Sequence, residues 1–169
     1  LAENAQFSSV NVSTAAGIRV VDLVEKVDDH TVMLSVSMGL VSPLEEPEHW
    51  GRLECHPDRP VRHLSLGNPH SVVGVDDVDA VDLVDLGQRV PHINLEIVAP
   101  GPEPDAITMR VHERGVGITQ ACGTGACAAA EAALTWGLVA QSAQAVTVHM
   151  PGGDALVQVN RDTTEAILT

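Results

Sequence analysis

The sequence is poor in bulky and basic residues. Aromatic side chains make up 2% of the 169 residues, with one phenylalanine, two tryptophans and no tyrosine. A core must therefore be assembled from Val, Leu, Ile and Ala, and the 44% hydrophobic share is that of a globular rather than a disordered chain. Only one lysine is present, Lys26, in the polar stretch VEKVDDH. A pyridoxal enzyme needs a lysine for its Schiff base, and a Walker-type phosphate loop needs one after its glycines. Lys26 stands in neither context, which excludes both classes. No strand–GxGxxG–helix unit is present, which argues against a dinucleotide fold. The net charge of −14 repels nucleic acid and anionic membrane surfaces, so neither is expected as a partner. No apolar run reaches membrane-spanning length. Three cysteines, an odd number, with no signal peptide point to a reducing cytoplasm and no disulfide framework.

What the chain does have is concentrated in Glu113–Gly137, ERGVGITQACGTGACAAAEAALTWG. From Thr124 to Trp136 nearly every residue favours helix, and Gly137 is a stop just past its end. Glu131 is the one charge. A helix apolar all round belongs inside a protein, and this one is too short to cross a membrane. At its start, Gly123, Thr124 and Gly125 allow close approach of backbone to a ligand. The first N–H groups lack intrahelical partners and carry the positive end of the dipole, a site for carboxylate or phosphate. Cys122 stands there, where a thiol pKa is expected to be lowered. The plainer alternative is a tight loop with Cys122 as a small buried apolar residue. Cys127, five positions on and roughly 140° around the axis, should point into packing. Cys55, in ECHPDRP, sits in a polar loop without a partner motif.

In chain order, residues 1–9 read as a frayed start. VNVST (10–14) and IRVVDLV (18–24) read as a hairpin about Ala15–Gly17, and TVMLSVSM (31–38) as the next strand. Residues 42–60 read as a long loop. VRHLSL (61–66) and HSVVGV (70–75) are strands flanking GNP. DDVDAVDLVDL (76–86) has acidic caps and spaced apolar residues, and reads as a surface helix. INLEIV (93–98), AITMRVH (106–112), AVTVHM (145–150), ALVQVN (155–160) and EAILT (165–169) are strands. The expected fold class is α+β: an antiparallel, barrel-like sheet wrapped around one buried central helix. One domain over residues 1–169 is expected. The pattern ends in mid-strand at Ile167–Leu168–Thr169, as in a fragment or excised domain.

Three polar groups sit where they can feed the helix start. In GNPH, Asn68 and His70 offer hydrogen bonds and a group that titrates near neutrality; the same residues also fit a simple Asn-Pro turn. Asn94, in an apolar strand, must be satisfied or exposed, and taken alone it reads as outward-facing. Glu113–Arg114 could equally be a surface ion pair. His63, His92 and His149 show no metal-ligand spacing, and no metal is expected.

Taken together, GNPHSVV at 67–73, the Asn94 strand, HERGVGITQACGTGACAAA at 112–130 and MPGG at 150–153 resemble diaminopimelate epimerase, in order and through most of the chain. The resemblance implies a fold of two mirrored domains, each a barrel-like sheet around a central helix. It implies interconversion of LL- and meso-diaminopimelate without a cofactor. Two cysteines on opposite sides of the α-carbon would move its proton. Cys122 matches the cysteine of the second domain; Asn68, Asn94, Glu113, Arg114, Gly123 and Thr124 match substrate-binding positions; His70 and Glu113 would lie near the two thiols. The family's first-domain motif, with its own cysteine and an Asn-Gly turn, is absent, and Cys55 has no such context. Ile118 stands where the family usually has Glu. The expected partners are therefore diaminopimelate, the family's N-terminal domain and a possible second copy. The chain alone is expected to be an inactive C-terminal half. The remaining readings are a proline-racemase-like or phenazine-pathway isomerase, and a non-catalytic remnant acting as a binding module or thiol sensor.

Overall fold

The computed structural model describes residues 8–169. The frayed start falls outside these up to residue 7, and Ser9 already begins a strand. The strands are β1 Ser9–Thr14, β2 Gly17–Lys26, β3 Val32–Leu40, β4 Ser42–Pro43, β5 Val61–Ser65, β6 Pro69–Gly74, β7 Asn94–Pro100, β8 Ala106–Glu113, β9 Gly117–Thr119, β10 Val146–Met150, β11 Gly153–Val159 and β12 Glu165–Leu168. Helices are α1 Leu83–Arg89 and α2 Gly123–Trp136.

Among the described residues the strands form one 12-stranded sheet in the order β1-β2-β3-β12-β11-β10-β8-β7-β6-β5-β4, with β9 added to β8. The α+β class holds. Most pairings are antiparallel, as expected, but β6–β7 and β8–β10 run parallel. Both parallel pairs are joined by crossovers that contain a helix, which is what parallel neighbours require. The sheet is open, with β1 and β4 at its edges. Residues 42–60 are a loop only in part: β4 and a 3-10 turn at Trp50–Leu53 interrupt it.

The α2 helix is the buried element that its composition predicts. Ala126 through Ala130, Ala132 and Ala133 have no exposed surface. Small side chains let sheet and helix backbones approach closely, and Val72, Val98, Ile107, Met109, Val111, Val146, Val148 and Val157 close around them. Glu131 Oε1 accepts from Arg62 at 2.9 Å and from the Thr135 hydroxyl, while its buried Oε2 has no partner among the described residues. Gly137 adopts φ +74° and ends the helix, while the Leu138 N–H bonds to the Ala133 carbonyl, a closure open mainly to glycine.

The helix expected over 76–86 is shifted. The acidic run 76–82 is turns and bends, and Asp82 caps α1 by accepting from the Asp85 N–H. Aspartates compete for the backbone in non-helical conformations and so favour the cap over the helix interior. Beneath α1 lies a second apolar cluster with Leu83, Leu95, Ile97 and Trp50. Alternation along β7 therefore divides the strand: Leu95, Ile97 and Ala99 face α1, while Asn94, Glu96 and Val98 face the α2 side.

Candidate active site

The start of α2 gathers residues from four strands and their turns. Cys122 is the N-cap, with extended backbone (φ −141°, ψ 109°), and the first helical bond runs from Ala126 N–H to its carbonyl. Its Sγ lies 3.6 Å from the Thr124 hydroxyl, which accepts from Asn68 Nδ2 at 3.2 Å. Asn94 is buried rather than outward-facing. Its Nδ2 donates to the Pro69 carbonyl and its Oδ1 accepts from the Arg114 N–H, at 3.0 and 2.9 Å. One amide thus staples the GNP turn to the Glu113–Arg114 turn. This satisfaction is what makes a buried Asn tolerable in an apolar strand.

Glu113 ends β8 and accepts from the Thr119 hydroxyl on β9 at 2.6 Å. Gly115, at φ +78°, lets the chain reverse between these strands, with Val116 N–H bonding back to the Glu113 carbonyl. The short strand β9 was not legible in the sequence, and Ile118 lies on it, exposed. The loop before Cys122 is held from the MPGG turn: Gly152 N–H donates to the Gln120 carbonyl at 2.8 Å, and a Cβ at Gly152 would meet that oxygen at 3.0 Å. Among the described residues Glu113 and Arg114 form no ion pair with each other. Arg114 instead lines an open cleft of about 560 Å³ with Asn68, Thr124, Gly67, Met38 and Arg19.

The thiol does not behave as helix position alone predicts. Burial pushes Cys122 up from its ordinary value; the Thr124 hydroxyl and Gly125 N–H pull the other way, and the Glu113 and Glu96 carboxylates add to the rise. Desolvation of the thiolate outweighs the helix end here. Cys127 is fully buried and pushed up to about 12 by burial, in keeping with a packing role. Cys55 is half-buried at the edge of the second cluster, well apart in sequence from this constellation.

Sequence reasoning missed one residue. Glu96 has no exposed surface, and its Oε1 lies 2.6 Å from Nδ1 of the equally buried His70. Burial pushes the Glu96 carboxyl up, against the pull of His70. The signal was present: Glu96 lies two residues from Asn94, on the same face of β7. Hydrogen bonds link Asn68, Thr124 and Cys122 at the start of α2 and tie Asn94 to the GNP turn and the Arg114 backbone, while His70 bonds Glu96 and Glu113 bonds Thr119.

Comparison with known proteins bears on this constellation. The diaminopimelate epimerase family profile matches residues 63–169. The chain is 37% identical over 161 residues to a diaminopimelate epimerase from Erythrobacter litoralis, covering 90% of this chain and 55% of that protein. It spans about half the length of the curated relatives it matches along most of its length. In fold it is similar to a predicted epimerase from Pseudomonas aeruginosa (TM-score 0.68, 16% identity, 95% of this chain and 62% of that one). It is also similar to a hydroxyproline epimerase from Agrobacterium vitis with bound trans-4-hydroxy-L-proline (TM-score 0.61, 17% identity, 98% and 56%). With the profile covering well over half of its residues, this chain belongs to the diaminopimelate epimerase family.

Proposed function

We propose that the cleft at the start of α2 is one wall of a cofactor-independent epimerase site for LL- and meso-diaminopimelate, with Cys122 as its single acid–base thiol. The observation that carries the reading is the cleft lined by Asn68, Thr124 and Arg114 at a helix N-terminus, with the buried Cys122 Sγ 3.6 Å behind the Thr124 hydroxyl. An α-proton is weakly acidic, and its removal develops charge beside the substrate carboxylate. The N–H groups of Gly123, Thr124 and Gly125 would stabilise that charge as it forms. Arg114 would bind a carboxylate through two parallel hydrogen bonds, and Glu113, oriented by Thr119, would pair with the α-ammonium. Cys122 is held protonated by its surroundings, which suits a thiol that delivers a proton and becomes a thiolate only in a closed, substrate-filled site.

Inversion needs an acid and a base on opposite faces of the carbon. This chain supplies one face. The other thiol, and a cover for the apolar side chains that β1–β3 leave exposed, would come from the N-terminal half of the family's length. In that reading the chain alone binds substrate weakly and does not epimerise it. Titration of ¹⁵N-labelled chain with LL-diaminopimelate tests the site. Perturbed amides are expected at Asn68, Arg114, Gly123 and Thr124, with Cys55 silent; no perturbation at these amides up to millimolar ligand would overturn the assignment.

A further inference from the structure

Beneath the start of α2 lies a polar pair that the binding wall does not account for. His70 on β6 and Glu96 on β7 have side chains with no exposed surface. Nδ1 and Oε1 are 2.6 Å apart, while Nε2 and Oε2 are closed off from solvent and have no partner among the described residues. Both residues lie on the α2 side of the sheet with Val72 and Val98, where apolar side chains fill space without loss of hydration. A buried pair in such a place is not kept for stability.

Gly125 links the pair to the thiol. A Cβ at Gly125 would stand 2.8 Å from Glu96 Oε1 and 3.2 Å from Cys122 Sγ. The sum of those distances, about 6 Å, is the most that can separate carboxylate from thiol. Glu96 Oε1 thus lies close to both the imidazole and Cys122, and glycine leaves the space open.

We propose that Glu96 is a positioning residue of this site: it binds Nδ1 of His70 and leaves Nε2 as the one nitrogen that exchanges a proton with the pocket. The inference rests on the epimerase reading of the cleft. With one proton between Nδ1 and Oε1 the pair carries charge −1, and Nε2 offers a lone pair. Taking up one proton forms an N–H bond at Nε2, breaks one bond to hydrogen on the donor, and leaves the pair neutral. The shared proton persists in both states, so the ring keeps its orientation. The titratable groups that face the pair are Glu113 at the end of β8 and Cys122 at the start of α2.

The test compares the purified chain, labelled with ¹⁵N-histidine, with Glu96→Gln and Glu96→Asp. Wild type is expected to show a strongly downfield shared proton on His70 Nδ1, absent in His70→Asn, with Nε2 as the nitrogen left without it. Glu96→Gln keeps the shape and removes the charge; it is expected to lose that proton and to mix the two tautomers. Glu96→Asp keeps the charge at shorter reach and is expected to restore the proton in part. Alkylation of Cys122 at fixed pH is expected to quicken in Glu96→Gln by up to about tenfold, the equivalent of one pKa unit, and to stay near wild type in Glu96→Asp. A purely structural role would shift the melting temperature and leave tautomer and alkylation rate alone. A folded Glu96→Gln chain with wild-type tautomer and alkylation rate overturns the proposal. If that variant does not fold, wild type decides alone: absence of the shared proton overturns it. None of these readouts uses substrate, so this proposal and diaminopimelate binding can fail separately.

Discussion

Strands β1–β3 and the body around α2 belong to one sheet and are made of similar residues, but they are stabilised in different ways. Around α2 the valines and alanines have exposures at or near zero. On β1–β3, Ile18 is 67% exposed, Val24 55% and Leu40 57%. The cause is coverage. The α2 helix packs against β5–β8 and β10–β12, and α1 covers the reverse side of β7 and β8, whereas among the described residues neither α1 nor α2 packs closely on β1 or β2. A β-branched sequence is enough to make a strand, but burial needs a second layer. The apron nevertheless shapes the site: Thr14, Ala15, Ala16 and Arg19 line the cleft, and a Cβ on Gly67 (φ +94°) would meet Ala16 at 2.9 Å.

The contrast is open to breakage by substitution. The largest effect is expected for Met109→Ala, which removes a fully buried side chain facing α2. Chemical denaturation should register a loss of about 2–5 kcal/mol. Ala129→Leu, which forces extra volume between α2 and the sheet, should cost about 1–3 kcal/mol in the same assay. A loss on either below a few tenths of a kcal/mol would show the body to be loosely packed.

A smaller effect tests how the body's own surface is pinned. His149 on β10 lies between Asp154 (2.7 Å) and Glu103 (3.0 Å). Hydrogen bonds to these carboxylates, Asp154 first, hold its pKa above the ordinary value. A raised folded pKa means the stabilisation is fully present below the unfolded value of about 6.5 and is lost as pH rises through the folded value. His149→Ala should therefore lower the melting temperature at about pH 5.5 more than at about pH 9. An equal effect at both would assign His149 a packing role. Smallest of all, Ile18→Ala on β2 should change stability by less than about 0.5 kcal/mol. A loss comparable to that of Met109→Ala would erase the distinction between apron and body.

The same contrast explains what could be read from the sequence. The α2 helix was legible because composition alone, Ala on every side and Gly at both ends, admits no exposed placement. Strand positions followed from local alternation, as in TVMLSVSM and AITMRVH. Pairing did not, because it is decided between distant segments: nothing in AVTVHM says that it lies parallel to β8. The α1 start was misplaced because Asp76, Asp77, Asp79 and Asp82 are all plausible caps, and only packing of Leu83 into the second cluster selects the last. Cys122, Asn68 and Arg114 were found through a contiguous run or a turn. Asn94 was found but turned the wrong way in isolation, and Glu96 was missed, because which face of β7 is polar depends on what lies across from it. The thiol's direction of shift was likewise a matter of burial, which a helix end does not report.

The account's central claim is that this chain carries one wall, with one thiol, of a site that needs two. The direct measurement is to incubate the purified chain with LL-diaminopimelate in D₂O at a concentration that saturates the Arg114 and Thr124 amide shifts, and to follow meso product. The account predicts bound ligand and no meso product. Meso product at roughly 1 s⁻¹ or more, a rate typical of enzymes, would contradict it by showing that a second base lies within these residues. His70 would be the first candidate, identified by loss of turnover in His70→Ala.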